Sequence, residues 1–223
     1  MKYNLEGQIG QGSFGKIFLG SHKRTGEKVA IKIEPYSEEM KTLKYETQIY
    51  QALAEVTEPG FLKVKWFGLY QENYYMVLPL LGKSLKELKG IFSLGFTIEI
   101  GKKIIRLLQI LHDRGFIHRD VKPDNFLFDI AGKILHIIDF GICKQYTKEE
   151  RTRSSFIGTL EFASKRVKAL CEPSRRDDLE SVAYILNYLL ERRDGFEGYI
   201  ERCQKLDFCE NPDYDGLCSA LRI

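Results

Sequence analysis

The sequence has few of the features that mark exported, membrane-bound or nucleic-acid-binding proteins. None of its apolar runs reaches the length that a bilayer requires, and the densest, residues 74–81, is short enough for a buried strand. Residues 1–6 lack the apolar core of a signal peptide. The 34 basic and 31 acidic side chains leave a net charge of only +3, too small an excess to indicate nucleic-acid binding. We therefore expect no membrane association and no direct contact with nucleic acid.

Cysteine is also scarce and has no pattern. The five cysteines are odd in number, widely scattered and without a Cys-x-x-Cys pair, which argues against a disulfide framework and against a zinc site. We predict reduced, mostly buried thiols in a cytoplasmic or nuclear protein. The apolar share of 43% and the charged share of 29% are those of a folded globular protein.

The most specific chemistry lies in residues 116–125, Phe-Ile-His-Arg-Asp-Val-Lys-Pro-Asp-Asn. This spacing indicates phosphoryl transfer: Asp120 would accept the proton of an attacking hydroxyl, Lys122 would neutralise charge on the transferring group, and Asn125 would offer its carbonyl oxygen to Mg2+. The alternative is an ordinary polar turn. A lone His-Arg-Asp would fit that alternative, but the full string is far more specific.

A glycine-rich turn between two predicted strands, residues 3–9 and 16–21, indicates a phosphate-binding flap. Gly10, Gly12 and Gly15 would let backbone N–H groups approach phosphates, and Phe14 at the tip could close over them. The same glycine spacing also opens the helix of flavin and NAD enzymes. Here the following residues read as a strand, which favours a kinase-type flap.

Two further residues complete the predicted nucleotide site. Lys32 lies in an apolar predicted strand, residues 28–34, and would hold the α- and β-phosphates. Its charge needs a partner, for which Glu46 in a predicted helix over 37–53 is the first candidate; Glu38, Glu39 and Glu55 remain open from spacing alone. Asp139, in Asp-Phe-Gly after a predicted strand at 134–138, is a second candidate metal ligand.

Periodicity predicts the remaining elements. We expect a hairpin from strands at 62–70 and 73–80, a boundary between lobes at 79–82, and a short strand at 126–128. Helices are predicted at 84–88, 97–114, 177–193, 196–206 and 214–221, and residues 145–156 are predicted to form a polar loop in which Thr152, Ser154 and Ser155 are exposed hydroxyls.

With these residues in order, the chain resembles a eukaryotic protein kinase, and more narrowly casein kinase I, over roughly residues 1–193. The narrower resemblance depends on several motifs, with Phe-Ala-Ser at 162–164 where most kinases have Ala-Pro-Glu. The motifs are Gly-Ser-Phe-Gly at 12–15, Leu-Lys-Tyr-Glu at 43–46, Trp-Phe-Gly at 66–68, Leu-Leu-Gly-Lys-Ser-Leu at 80–85, Lys-Pro-Asp-Asn-Phe-Leu at 122–127 and Ser-Arg-Arg-Asp-Asp-Leu-Glu-Ser at 174–181. Vaccinia-related kinases share much of this pattern, but Trp-Phe-Gly at 66–68 and the string at 174–181 favour casein kinase I.

The resemblance implies an α+β, bilobal protein-kinase fold. A single kinase domain would span 1–223, with a β-rich N-lobe containing one helix at 1–78, a hinge at 79–82, and a mainly helical C-lobe at 83–223 that is shortened at its C-terminal end. It further implies ATP and Mg2+ as cofactors and Ser/Thr hydroxyls of protein substrates as acceptors. We expect a monomer.

The resemblance also assigns site residues. It supports Glu46 as the partner of Lys32, places Leu78 at the back of the adenine slot, and gives Asp178 the task of holding the catalytic loop, with Thr159 near Asp120. The implied ATP-binding residues are Ile9, Gly10, Gly12, Ser13, Phe14, Gly15, Ile17, Ala30, Lys32, Glu46, Leu78, Pro79, Leu81, Leu127 and Ile138.

Three departures from casein kinase I bear on substrate choice and regulation. Glu161 stands where those enzymes carry an arginine that helps to bind a phosphorylated or acidic residue upstream of the acceptor, so that preference is in doubt. The loop between Asp139 and Gly158 is shorter than the family's, and the family's regulatory C-terminal extension is missing, so we expect no autoinhibition by such a tail. We expect an active serine/threonine kinase; the alternative is a catalytically weak kinase-fold scaffold that binds nucleotide and partner proteins.

Overall fold

The computed structural model describes residues 2–12, 15–37, 42–150 and 155–222. The chain folds as two compact units, each built from two stretches of sequence. The first unit contains Met1–Gly82 and Phe128–Gly141, and the second contains Lys83–Leu127 and Ile142–Ile223.

The first unit is built on a five-stranded antiparallel sheet with the order β1-β2-β3-β5-β4. Strand β3 is buried on both faces: Val29 and Ile31 point into an apolar core on one face, and Lys32 on the other face bonds to a helix. The core on the first face is formed by Tyr3, Val29, Ile31, Tyr75 and Val77. The strands are β1 (Tyr3–Gly12), β2 (Gly15–His22), β3 (Lys28–Pro35), β4 (Trp66–Tyr70) and β5 (Asn73–Pro79).

Strands β4 and β5 form the predicted hairpin. Gln71 and Glu72 have φ of 45° and 57°, the left-handed conformations that a tight two-residue turn requires. Strand β4 begins at Trp66, four residues later than the sequence predicts.

Helix α1 (Thr42–Ala52) packs against β5 with residues at helical spacing, among them Leu43, Thr47 and Tyr50. Glu38 and Glu39, predicted for the first turn of this helix, lie outside the described residues. The predicted helix is therefore observed from Thr42 onward.

The second stretch of the first unit leads to Asp139. The N–H of Asp129 donates to Ile134 O at 2.8 Å and closes the turn between β7 (Phe126–Phe128) and β8 (Leu135–Ile137). The N–H of Ile137 donates to Gly60 O at 3.0 Å. This strand thus fixes the backbone just before Asp139.

The second unit is mainly helical and is centred on α2 (Leu94–Asp113) and α4 (Arg175–Leu189). A Cβ on Gly101 would lie 2.8 Å from side-chain atoms of both Leu186 and Leu221, so glycine lets α2 pack closely against its neighbours. Helix α4 begins two residues earlier than predicted because Ser174 donates its N–H to Asp177 Oδ2 at 2.8 Å and caps the first turn. The other helices are α3 (Lys165–Lys168), α5 (Glu197–Lys205) and α6 (Tyr214–Ala220).

Small elements frame the loop at 118–125. Strand β6 (Phe116–Ile117) pairs with β9 (Lys144–Gln145), and a 3-10 helix spans Pro123–Asn125. None of these, nor the four-residue α3, was predicted from the sequence, because they are too short to show a periodic pattern.

The predicted helix at 84–88 is wrong. Ser84 and Glu87 exchange the hydrogen bonds of a capping box. The N–H groups that follow donate to the third residue before them rather than the fourth, as that of Leu88 does to Leu85 O at 3.2 Å, so the segment forms turns and not an α-helix. The residues form successive turns that end near Gly90, where φ is 73°.

Among the residues that the structure describes, no helix combines the length and apolarity needed to cross a membrane.

Candidate active site

Lys32 is the centre of a buried charge cluster in the first unit. Its Nζ donates to Glu46 Oε2 at 2.7 Å and to Asp139 Oδ1 at 2.8 Å. Strand β3 supplies the lysine, α1 supplies Glu46, and the residue after β8 supplies Asp139, which has φ of 65°. Among the acidic candidates for the Lys32 partner, Glu46 makes the contact; Glu55 is exposed, and Glu38 and Glu39 lie outside the described residues.

Burial and charge act in opposite directions on this cluster. Burial alone would lower the pKa of Lys32, but the carboxylates of Glu46 and Asp139 outweigh it and raise that pKa above its ordinary value. Burial raises the pKa of Glu46 to about 7, although the Lys32 charge opposes the rise. The cluster therefore holds a permanent cation on β3 beside a carboxyl group that titrates near neutrality.

One of the described glycines of the predicted flap, Gly12, lies close to this cation. A Cβ on Gly12 would sit 3.6 Å from Lys32 Cε and 3.8 Å from its Nζ. A Cβ on Gly15 would collide with the carbonyl oxygen of Ile33, so this position requires glycine for β2 to pair with β3. Gly10 faces Ile17 across the hairpin, and Ser13 and Phe14 at the tip lie outside the described residues.

Most of the predicted adenine-contacting residues belong to the same unit. The register pairs Ile17 with Lys32 and Ala30 with Leu78, and directly paired residues share a face of the sheet, so all four lie on the Lys32 face. Of the others, Ile9 is exposed, Pro79 ends β5, Leu81 and Ile138 are half-buried, and Leu127 is a half-buried residue of the second unit.

In the second unit, Asp120, Lys122 and Thr159 form a triangle of hydrogen bonds. Lys122 Nζ donates to Asp120 Oδ2 at 2.6 Å, and Thr159 Oγ1 donates to Asp120 Oδ1 at 2.7 Å. Lys122 Nζ also lies 3.2 Å from Thr159 Oγ1, to which it donates. Both oxygens of a largely buried carboxylate are thereby held in one orientation.

The backbone of this loop is held from α4. Asp178 Oδ2 accepts the N–H of His118 at 2.7 Å, and Asp178 Oδ1 accepts the N–H of Arg119 at 2.9 Å. Arg119 has φ of 67°, a left-handed conformation that these bonds stabilise, and its Nε donates to Ile142 O at 2.6 Å. The Asn125 amide nitrogen donates to Asp120 O at 2.9 Å, which leaves the amide oxygen as an acceptor.

Residues 3–211 match the family model of the protein kinase domain. The chain belongs to the protein kinase family. The predicted α+β kinase fold is confirmed, with its five-stranded antiparallel sheet in the N-lobe and its helical C-lobe.

Family membership makes this chain a kinase domain that uses ATP, a divalent metal ion and protein substrates. The side chains fit these groups: Lys32 is a buried cation beside a glycine-lined hairpin, and Asn125 and Asp139 carry the oxygen donors that hard divalent cations prefer. The nucleotide, when bound, supplies the phosphoryl group and the metal ion neutralises its charge.

Helix α4 also holds the segment at 158–168 in place. Ser164 Oγ donates to Asp177 Oδ1 at 2.6 Å, and the N–H of Lys165 donates to Glu180 Oε1 at 3.0 Å. Gly158 has φ of 100°, and a Cβ there would lie 2.5 Å from Arg119 O, so glycine allows this segment to approach the catalytic loop. A cavity of about 20 Å³, room for one water, lies between this segment, the catalytic loop and α4.

Glu161 lies in the turn between Thr159 and Ser164 and is exposed. Its charge adds to that of Asp124 in raising the pKa of Lys86, with the hydrogen bond from Lys86 to Asp124 as the main cause. Asp124 and Glu161 therefore both lie near Lys86.

Sequence reasoning missed three supporting residues of the kinase. Glu34 is buried and bonds to α1, His112 bonds to Asp178, and Asp177 anchors Ser164. Glu34 had a usable signal, since it lies two residues after Lys32 and so on the same face of β3. No sequence signal pointed to the contacts of His112 and Asp177, because these contacts are set by the packing of segments far apart in the sequence.

Proposed function

We propose that this protein is a serine/threonine kinase related to casein kinase I, transferring the γ-phosphate of MgATP to hydroxyl groups of protein substrates. The observation that carries the proposal is the bonding of both Asp120 oxygens, to Lys122 and to Thr159. A carboxylate oriented on both oxygens is a fixed proton acceptor. The specific resemblance of residues 12–15, 43–46 and 174–181 supports the narrower family.

A residue of this chain can be assigned to each step of the proposed reaction. Asp120 accepts the proton of the attacking Ser or Thr hydroxyl, and Lys122 neutralises charge on the transferring group. Thr159 keeps the Asp120 carboxylate in one orientation. Asn125 and Asp139 are the residues that would hold Mg2+, and Lys32, with its head group fixed by Glu46, would orient the phosphates of the bound nucleotide.

Substrate choice follows from Glu161. Casein kinase I enzymes resemble this chain but carry an arginine at that position, so an acidic or phosphorylated residue that binds there in them would be repelled here. We propose that this kinase prefers substrates with a Lys or Arg upstream of the acceptor. The exposed carboxylate of Glu161 supports this, because opposite charges attract across a partly screened surface.

The test is phosphate transfer from MgATP to a Ser/Thr peptide library, comparing wild type, Asp120→Asn and Asp124→Asn. Asp124 lies in the same loop and pairs with Lys86, so its variant is the matched control. We expect Asp120→Asn to lower kcat by about 10²- to 10⁴-fold with nucleotide binding retained, and the control to stay within about threefold. Equal turnover in wild type and Asp120→Asn would contradict the proposal, and wild type that binds ATP without transfer would favour the scaffold.

The metal ion has its own measurement. Turnover should disappear on removal of divalent cations and return with Mg2+, whereas Ca2+, which prefers more ligands at longer distances, should restore little of it. Full activity in the presence of a chelator would contradict the assignment of Asn125 and Asp139.

A further inference from the structure

A chain of hydrogen bonds joins the last helix of the chain to the catalytic loop. His112, near the end of α2, lies between Asp178 of α4 and Tyr214 of α6: its Nε2 is 3.0 Å from Asp178 Oδ2 and its Nδ1 is 2.9 Å from the Tyr214 hydroxyl. Asp178 in turn accepts the backbone N–H groups of His118 and Arg119. All of these bonds lie within the second unit.

The chemistry of the partners fixes where the protons are. An ionised carboxylate can only accept, so the ring proton beside Asp178 must be on Nε2 of His112. In a neutral ring, Nδ1 is then an acceptor, and the Tyr214 hydroxyl is its donor. Burial raises the pKa of Tyr214, so its hydroxyl keeps its proton throughout the neutral range. If the ring became charged, the same hydroxyl would accept from Nδ1 instead.

We propose that Tyr214 is a positioning residue for the kinase reaction: its hydroxyl fixes the His112 ring, which fixes Asp178, which holds the backbone that presents Asp120. The inference rests on the proposed role of Asp120 as the base. Tyr214 lies beyond residue 211, where the match to the protein kinase family model ends. The support that α6 gives therefore comes from residues outside the matched range.

The hydroxyl is not needed to attach α6 to the rest of the unit. Asp213 accepts the N–H of Gly216 at 2.9 Å and caps the helix, and Arg106 of α2 pairs with Asp215. Leu217 is buried in the same interface. Removing one oxygen from Tyr214 should therefore leave the helix docked, and a loss of turnover would be due to the His112 ring.

The test compares Tyr214→Phe with Tyr199→Phe as a matched control. Tyr199 is also buried, and its hydroxyl donates to Leu179 O at 2.8 Å, so the control removes a similar bond outside the chain to Asp178. We expect Tyr214→Phe to lower kcat about 3- to 30-fold with KM for ATP within about twofold, and the control to leave kcat unchanged. His112→Gln should lower kcat similarly, and adding Tyr214→Phe to it should have no further effect.

Amide hydrogen exchange gives a readout that needs no turnover. The N–H groups of His118 and Arg119 should exchange faster in Tyr214→Phe than in wild type or in the control. If they do so in a protein that transfers no phosphate, the positioning role stands and the kinase proposal fails. Unchanged exchange and unchanged kcat in a folded Tyr214→Phe protein would overturn the inference.

Nitrogen NMR of His112 in the wild-type protein covers the case in which the variants do not fold. The proposal requires a proton on Nε2, with Nδ1 hydrogen-bonded. A neutral ring with its proton on Nδ1 would overturn it, because Asp178 would then face a bare nitrogen.

Discussion

Glu34 on β3 accepts the backbone N–H of Leu43 on α1, with 2.5 Å between Oε2 and N. Lys32 lies two residues before Glu34 and bonds to Glu46, three residues after Leu43. One face of the strand therefore holds one face of the helix at two points about one helical turn apart. The Lys32–Glu46 pair thus does not depend on its own attraction alone.

Replacing Glu34 by Ala should weaken both the fold and the pair. The buried Leu43 N–H would lose its acceptor, at a cost of ~1–3 kcal/mol in the free energy of unfolding, and α1 would be free to shift. Glu34→Gln keeps an acceptor oxygen and should retain most of the stability and turnover. Denaturant unfolding and steady-state kinetics measure the two effects, and Glu6→Ala, which removes an exposed partner of Lys28, is the control.

Combining Glu34→Ala with Glu46→Gln tests whether Glu34 affects turnover through the position of α1. If Glu34 acts by placing Glu46, the loss of kcat on removing Glu34 should vanish once Glu46 is already Gln, while the loss of stability remains. Additive losses of kcat would show that Glu34 acts in another way.

Glu46 should make activity and stability respond to pH in opposite directions. Its pKa of about 7 in the folded protein exceeds the unfolded value of about 4.3. The folded state therefore binds the proton more tightly, and the stability gained is complete below about pH 4.3 and is lost as pH rises through about 7. Turnover needs the ionised form that holds Lys32, so kcat/KM for ATP should fall as pH drops below about 7.

Glu46→Gln is the control for this pH dependence. Between pH 6 and 8 its kcat/KM should be low and flat, and its stability should gain on that of wild type as pH rises. If Glu46→Gln still loses kcat/KM for ATP as pH drops below about 7, as wild type does, another group causes that loss.

Thr159 should affect the chemical step more than nucleotide binding. Thr159→Val keeps the shape but removes the bond to Asp120 Oδ1, so kcat should fall about 10- to 100-fold, the equivalent of ~1.5–3 kcal/mol for a hydrogen bond to a charged group. Thr159→Ser keeps the hydroxyl and should remain within about threefold of wild type. Equal kcat for the Val and Ser variants would remove Thr159 from the mechanism.

Glu161→Arg should reverse substrate choice without changing the chemistry. Wild type should favour a peptide library with Lys or Arg upstream of the acceptor, and the variant should favour one with phosphoserine or Asp. The ratio of kcat/KM for the two libraries should change by the equivalent of ~1–3 kcal/mol. Glu201→Arg, on the exposed side of α5, makes the same charge change as a control. If wild type prefers the acidic library, other basic residues bind the upstream group and the proposal for Glu161 is wrong.

Short motifs with fixed spacing made much of the site predictable. The Lys32 strand, the loop at 118–125 and Asp139 follow from local patterns because each lies in one short segment whose geometry the backbone sets. The strands of the first unit and the helices α5 and α6 were also readable from their periodicity, to within a few residues.

Contacts between distant segments were not predictable in this way. Tyr214 meets His112 across 102 residues, and Ser164 meets Asp177 through the start of α4, neither of which any local pattern encodes. The failed helix at 84–88 has the same cause. Its sequence favours a helix, but the segment forms turns, and the N–H of Leu85 at its start donates to Phe126 O.

The first two turns of α4 carry Asp177, Asp178 and Glu180, which hold Ser164, the catalytic loop and Lys165 respectively. Each residue along a helix is rotated by about 100° from the one before it. An insertion or deletion of one residue in α4 just before Asp177 would point all three carboxylates away from their partners at once. Length variation that the chain could absorb in an exposed loop would here separate Asp120 from the segment at 158–168.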